Sequence, residues 1–250
     1  MDKWRGKVAL VTGAAAGIGA AIATRLVEQG MIVVGLDVQE DRLKANAEDL
    51  SKRNAPGKLH PFKANLRKEE EILAAFDWIE KNLGGADVLV NNAGLPGLLT
   101  KSYVLDGTTE NWRELFDVNV IAVGICTREY LQSMKRRNNQ QGHIIIINSV
   151  AAHAVHYSWG AMYYASKHGV KAFAMILRRE LAESGSTIKV TSIGPGRTRT
   201  EIGGNLLIAS ENAMEPTDVA KTVVDALSAS PVSQICEIVM TPVPTKSSIY

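Results

Sequence analysis

Short apolar runs alternate with longer amphipathic stretches along most of the chain. Lys7 to Thr12 holds Val8, Ala9, Leu10 and Val11 in succession and predicts a buried strand. Gly13-Ala14-Ala15-Ala16-Gly17-Ile18-Gly19 follows at once, and the alanine-rich stretch from Ala20 to Gln29 predicts a helix stopped by Gly30. Met31 to Leu36 reads as a second strand. Asp41 to Arg53 reads as a polar helix, Asn54-Ala55-Pro56-Gly57 as a turn, and Leu59 to Lys63 as a third strand. Lys68 to Asn82 places Ile72, Leu73, Phe76 and Ile79 on one helical face, and Val88 to Val90 is a fourth strand. Asn111 to Met134 reads as one long helix that buries Leu115, Val118, Ile121, Ala122 and Ile125, with the amide of Asn119 among them. The isoleucine run from Ile144 to Ile147 predicts a strand buried on both faces. Tyr163 to Ala182 is a helix, and Ile188 to Ile193 a strand that Gly194-Pro195-Gly196 breaks. Pro216-Thr217-Asp218 starts another helix, Ile235 to Met240 is a last strand, and the tail from Thr241 to Tyr250 is irregular.

Strand, glycine turn, helix and strand in that order form the first unit of a parallel dinucleotide-binding sheet. Gly13 permits a sharp exit from the strand, while Gly17 and Gly19 let backbone N–H groups approach a pyrophosphate at the helix N-terminus. The spacing is G-x-x-x-G-x-G. Asp37 ends the second strand about twenty residues past the glycines, where a carboxylate accepts hydrogen bonds from ribose hydroxyls. It can also cap the helix that begins near Glu40. Ala16 and Val38 supply no cation for a 2′-phosphate, and Arg42, a helical turn on, is expected to point to solvent, so the site reads NAD. Asn65-Leu66, Asn91-Asn92-Ala93-Gly94 and Asn148-Ser149 each stand at the carboxyl end of a predicted strand, where open α/β sheets bind ligands. Tyr163 and Lys167 share a helical face, and a fixed ammonium near a phenol favours the phenolate, a general acid/base pair.

At 250 residues with 46% hydrophobic content the chain can bury one large core, expected to span 1–250 as a single domain. A net charge of +2, and a lone basic cluster Lys135-Arg136-Arg137 that reads as a solvated helix end, exclude a nucleic-acid partner. No apolar run is long enough for a transmembrane segment, and Met1-Asp2-Lys3-Trp4-Arg5 lacks the apolar core of a signal peptide. Cys126 and Cys236 stand far apart with no CxxC spacing and no Asn-x-Ser/Thr sequon occurs. The expectation is a cytoplasmic, reducing location with no metal site.

Together, Thr12-Gly13-x-x-x-Gly17-x-Gly19, Asn91-Asn92-Ala93-Gly94, Asn119, Ser149, Tyr163-x-x-x-Lys167 and Pro195-Gly196 make the chain resemble the short-chain dehydrogenase/reductase family over nearly its whole length. The opening, Ile147-Asn148-Ser149 and Glu237-Ile238-Val239-Met240-Thr241-Pro242 resemble further its insect farnesol-dehydrogenase-like branch and that branch's vertebrate steroid-oxidising relatives. The resemblance implies a doubly wound, Rossmann-type parallel sheet with helices on both faces, and reversible hydride transfer between nicotinamide and an alcohol or carbonyl. It makes Tyr163 the acid/base. Lys167 holds the nicotinamide ribose and lowers the tyrosine pKa, Ser149 is the hydrogen-bond donor to the substrate oxygen, and Asn119 holds a relay water. Cofactor contacts then fall to Gly13, Gly17, Ile18, Gly19, Asp37, Asn65, Leu66, Asn92, Ala93, Gly94, Tyr163, Lys167, Pro195, Gly196, Thr198 and Thr200. Asn65 stands where the family usually has aspartate, Ala152 where it commonly has glycine, and Tyr164 beside Tyr163 where a small residue is commoner. Asp37-Val38 replaces the Ala-Arg pair of most farnesol-type relatives, which argues for NAD over that branch's NADP.

Leu95, Val155, Tyr157, Trp159, Met162 and Ile202 to Ile208 are expected to line an apolar substrate pocket, with Gly203-Gly204 in a lid and a substrate-loop segment over about 198–214. An isoprenoid such as farnesol, or a steroid-like alcohol, fits that pocket, while Arg197 and Arg199 lie close enough to meet an anion. The family also implies a homodimer or homotetramer formed through the helices at Asn111–Met134 and Tyr163–Ala182. Two other classes compete: a catalytically silent NAD-bound sensor or scaffold, and an S-adenosylmethionine-dependent enzyme. Neither needs Tyr163 with Lys167.

Overall fold

The computed structural model describes residues 1–97, 102–155, 160–201 and 212–244. Seven parallel strands form one sheet in the order β3-β2-β1-β4-β5-β6-β7: β1 Val8–Thr12, β2 Ile32–Asp37, β3 Lys58–Lys63, β4 Val88–Asn91, β5 His143–Ile147, β6 Lys189–Pro195 and β7 Glu237–Met240. Helices α1 (Gly17–Glu28), α2 (Glu40–Lys52), α3 (Glu69–Leu83), α4 (Thr109–Phe116), α5 (Ala122–Arg136), α6 (Ala161–Glu183) and α7 (Pro216–Ser228) cover both faces. No helix among the described residues is long and apolar enough to cross a membrane.

The isoleucine run explains the layering. Ile145 and Ile147 point to one face and join Val11, Ile22, Leu26, Val33 and the α7 residues Val219 and Val223. Ile144 and Ile146 point to the other and join Leu10, Val34, Phe76, Tyr130, Val170 and Leu177. Strand side chains alternate, so apolar residues at every position demand a cover on each face. Each fully buried isoleucine is worth roughly 1.5–3 kcal/mol.

The structure departs from the sequence pattern at several places. The helix after the glycine turn begins at Gly17, so Gly17 and Gly19 lie in its first turn. β6 continues through Gly194 and Pro195, because both pair with β7. β7 itself begins at Glu237, two residues after Ile235. Arg137 is not solvated: its guanidinium folds under the sheet onto the buried Asp87, 3.2 Å away.

The expected long helix is two helices joined by a π turn, Asp117–Ile121, whose wider ring runs from the Ala122 N–H to the Asp117 carbonyl. One extra residue in a turn advances everything beyond it by about 100°. Ile121, expected in the core, is therefore 53% exposed, and Ala122, Val123, Cys126 and Tyr130 are buried after it. The same turn drives Asn119 inward. Its Oδ1 accepts from Leu95 N–H at 2.7 Å, and its Nδ2 donates to the Leu95 carbonyl at 3.1 Å and to Ser166 Oγ at 3.2 Å.

Two outcomes follow from these buried polar groups. Asn119→Leu keeps the branched shape of the side chain and leaves both Leu95 backbone groups and Ser166 without that partner. It should cost roughly 1–3 kcal/mol in urea unfolding; a loss within about 0.5 kcal/mol would show that Leu95 pairs elsewhere. His143 is buried in β5, and its Nε2 lies 2.8 Å from Thr191 Oγ1, whose own proton goes to the Ile235 carbonyl. Burial lowers the ring from the ordinary 6.5 to about 3. Between those values the unfolded chain binds the extra proton, so stability is lost as pH falls from about 6.5 towards about 3. Urea midpoints at acid and neutral pH should fall less in His143→Gln than in the wild type.

Candidate active site

Strand order reverses between β1 and β4, because the chain runs from β1 out to β3 and then returns to the other side of β1. Ligands of such sheets bind in the crevice beyond the carboxyl ends at this reversal. A cavity of about 790 Å³ opens there, inside the range of about 300–1,000 Å³ usual for ligand pockets. Its wall holds the glycines 13, 17 and 19 with Ile18, then Asp37, Asn65, Leu66, Asn92, Ala93 and Gly94. Ser149, Tyr163, Lys167, Pro195, Gly196, Thr198 and Thr200 complete it. Asn119 is not on that wall; it stands behind it and fixes Leu95.

The glycine turn has no room for a side chain at Gly13 or Gly19. A Cβ on Gly19 would lie 2.0 Å from the Gly13 carbonyl oxygen and 2.4 Å from Asn92 Nδ2. Gly13 has φ +67°, and a Cβ there would lie 2.9 Å from Ala93 Cα. No side chain caps the N-terminus of α1 at Ala16, and the cavity is bordered by Ala16, Gly17, Ile18 and Gly19. Uncapped first-turn N–H groups beside a glycine cradle fit the pyrophosphate of a dinucleotide.

At the next stretch of wall, Asp37 Oδ2 accepts from Ala15 N–H at 3.1 Å and Oδ1 from Gln39 N–H at 3.0 Å. Asp37 therefore braces both the glycine turn and the start of α2. A carboxylate has about four acceptor positions, so further ones remain for a ligand. The sequence directs Arg42 to solvent; the structure turns it back to the rim. Its guanidinium forms a two-point ion pair with Glu201, at 2.8 and 3.0 Å, and the Asp37 carboxylate adds to the stabilisation of its positive charge. Arg67, also on the wall, pairs with Glu114 at 3.0 Å. Asn65 Oδ1 accepts from Arg67 N–H, which holds the strand exit in a tight turn.

Tyr163, Ser149 and Lys167 meet at the opposite end. Ser149 caps a short 3-10 turn, Val150–Ala152, by accepting from Ala151 N–H at 3.1 Å, and its hydroxyl also bonds the Tyr163 hydroxyl. Lys167 Nζ lies 5.8 Å from the Tyr163 ring centroid and donates to the Ile147 carbonyl at 3.4 Å. The expected depression of the phenol is not found. Burial pushes the Tyr163 pKa up, with the Ser149 bond opposing it, and burial pushes the Lys167 ammonium down to about 8. Desolvation disfavours both charged forms. Tyr164 is 8% exposed and off the cavity wall, so Tyr163 is the phenol that faces it.

Leu95 and Pro96 line the wall near Tyr163, whose Cβ would be 2.7 Å from a Cβ built on Gly97. Met162 is not on the described wall, and Val155 is 70% exposed. Tyr157, Trp159 and residues 202–208, with the proposed lid at Gly203-Gly204, lie outside the described residues. Arg197 reaches the cavity, whereas Arg199 pairs with Glu215 at 2.8 Å. Sequence reasoning named Thr12 and Asn148 but not their roles: Thr12 as a bond acceptor, and Asn148 as an amide buried on the wall without a partner among the described residues; it missed the pairing of Arg42 with Glu201. The ranks of Thr12 just before Gly13 and of Asn148 at a strand end were local signals; the pairing of Arg42 with Glu201 depends on a contact distant in sequence.

The short chain dehydrogenase family profile matches residues 7–210. The chain is 43% identical to a farnesol dehydrogenase of Aedes aegypti over 248 residues, covering 98% of this chain and 100% of that one. It is 43% identical to dehydrogenase/reductase SDR family member 11 of Gallus gallus, covering 97% and 98%. A metagenomic short-chain oxidoreductase solved in complex with NADP superposes with a TM-score of 0.81 at 28% identity, covering 97% of this chain and 99% of that one. The arrangement at the sheet's reversal and these likenesses agree: the chain is an oxidoreductase belonging to the short-chain dehydrogenase/reductase family.

Proposed function

We propose that the protein is an NAD-dependent dehydrogenase of lipophilic alcohols, an isoprenoid such as farnesol or a steroid-like alcohol, with Tyr163 as its acid/base. The observation that carries the reading is the convergence of Tyr163, Ser149 and Lys167 on the cavity that the glycine turn also lines. When bound, the nicotinamide supplies the hydride acceptor or donor. The protein's share is proton handling and placement. Tyr163 takes the alcohol proton in oxidation and returns it to the carbonyl oxygen in reduction. Ser149 holds the phenol oxygen and offers a hydrogen bond where negative charge develops on the substrate oxygen. Lys167 binds the ribose and, charged below about 8, places a positive charge beside the phenol that opposes the effect of burial on Tyr163. Asn119 acts by fixing Leu95; its Oδ1 retains capacity for the proposed relay water.

Asp37 supports NAD, since its remaining acceptor positions suit ribose hydroxyls and repel a 2′-phosphate. The farnesol dehydrogenase relative and the apolar pair Leu95-Pro96 support a lipophilic substrate. Free Cys126 and Cys236 accord with a cytoplasmic setting. The exposed apolar residues Ile121 on the π turn and Met175 and Ile176 on α6 support a homodimer or homotetramer through these helices.

Tyr163→Phe should lower turnover by about 10²–10⁴-fold while calorimetry still detects nucleotide binding; near wild-type rates in that variant, with loss in Tyr164→Phe, would move the acid/base to Tyr164. For cofactor and substrate, steady-state kinetics should give kcat/KM roughly a hundredfold higher with NAD than NADP, from about 2.8 kcal/mol of repulsion at Asp37. Prenols and sterols should outperform anionic alcohols. Equal efficiency with NADP would reduce Asp37 to a brace of the backbone, and a preference for anions would make Arg197 a substrate contact.

A further inference from the structure

Arg42 and Glu201 are far apart in sequence and meet at the rim of one cavity, both on its wall with Asp37. Arg42 stands on α2 just beyond Asp37, and Glu201 follows Thr200, which packs against the glycine turn at Gly17. Both N–H arms of the guanidinium are turned on Glu201, at 2.8 and 3.0 Å, and one also reaches Gln39 Oε1 at 3.3 Å. The planar fork that would grip a phosphate is thereby filled by a carboxylate.

We propose that Glu201 is a positioning residue for cofactor choice: by occupying Arg42 it withholds the cation that a 2′-phosphate on the adenosine ribose would use. The inference rests on the reading of Asp37 as the ribose acceptor. Asp37 and Glu201 place two negative charges around the single positive charge of Arg42, so this part of the rim is net negative. Neutralising Glu201 balances Asp37 against Arg42 and frees the fork. The pair is solvent-exposed, with side-chain exposures of 44% and 65%, so Glu201 biases Arg42 away from a phosphate by a modest amount and does not lock it. A choice set by Asp37 alone would leave Arg42 as an open invitation to NADP five residues along the chain.

The test uses two fragments that differ by one phosphate, 2′,5′-ADP and 5′-AMP, titrated calorimetrically into the full chain. Glu201→Gln should improve the affinity ratio of 2′,5′-ADP over 5′-AMP by about tenfold. Adding Arg42→Ala should return the ratio to the wild-type value or below, and high salt should shrink the gain. If Glu201 merely ties its segment to α2, both fragments shift together and the ratio stays put, which overturns the proposal. So does a gain that survives without Arg42. The preference of the unmodified protein for NAD or NADP tests the Asp37 reading separately, because a wild-type preference for NADP refutes that reading whatever Glu201→Gln does to the ratio.

Discussion

The cavity depends on a staple between the ends of β1 and β4. Thr12 Oγ1 accepts from the N–H groups of Asn92 and Ala93, each at 3.0 Å, and Asn92 Nδ2 donates back to the carbonyls of Thr12 and Gly13 at 2.8 and 3.2 Å. These two strands are neighbours whose chains depart in opposite directions, so their exits would otherwise splay. The staple satisfies backbone groups that the sheet no longer pairs. It also presses the glycine turn so closely on Asn92 and Ala93 that only hydrogen fits at Gly19. The uncapped end of α1 is aimed into the crevice as a consequence of that contact.

Burial governs the other end of the cavity. Asn119, Ser166 and Lys167 are all buried, yet each finds an oxygen or nitrogen partner. The same desolvation pushes the Tyr163 phenol up and the Lys167 ammonium down, so both lean towards their neutral forms. Charge is managed differently at the exposed rim, where Arg42 and Arg67 are each balanced by a glutamate from another element. On the proposed reading of Glu201, selectivity there is a matter of which charge is already engaged.

The π turn connects these regions. It lies between α4 and α5 and supplies Asn119, whose amide grips both backbone groups of Leu95 beside Gly94. A regular helix would carry the buried stripe on without a change of phase. The widened turn instead exposes Ile121 and delivers one polar side chain behind the cavity wall.

The sequence by itself determined the order of strands and helices, the parallel sheet, the glycine turn and the strand-end residues of the cavity wall. Those features are written in local apolar periods and in residues placed at strand ends, where a parallel α/β sheet must present them. Tertiary structure decided what local pattern cannot carry. It set the phase of the helix beyond Phe116, the turn of Arg137 onto Asp87, and the return of Arg42 to Glu201 across 159 positions. It also decided that burial at Tyr163 outweighs the hydrogen bond from Ser149. Ion pairs, desolvation and helix phase depend on distances between segments remote in the chain, and those distances exist only once the sheet has brought the segments together.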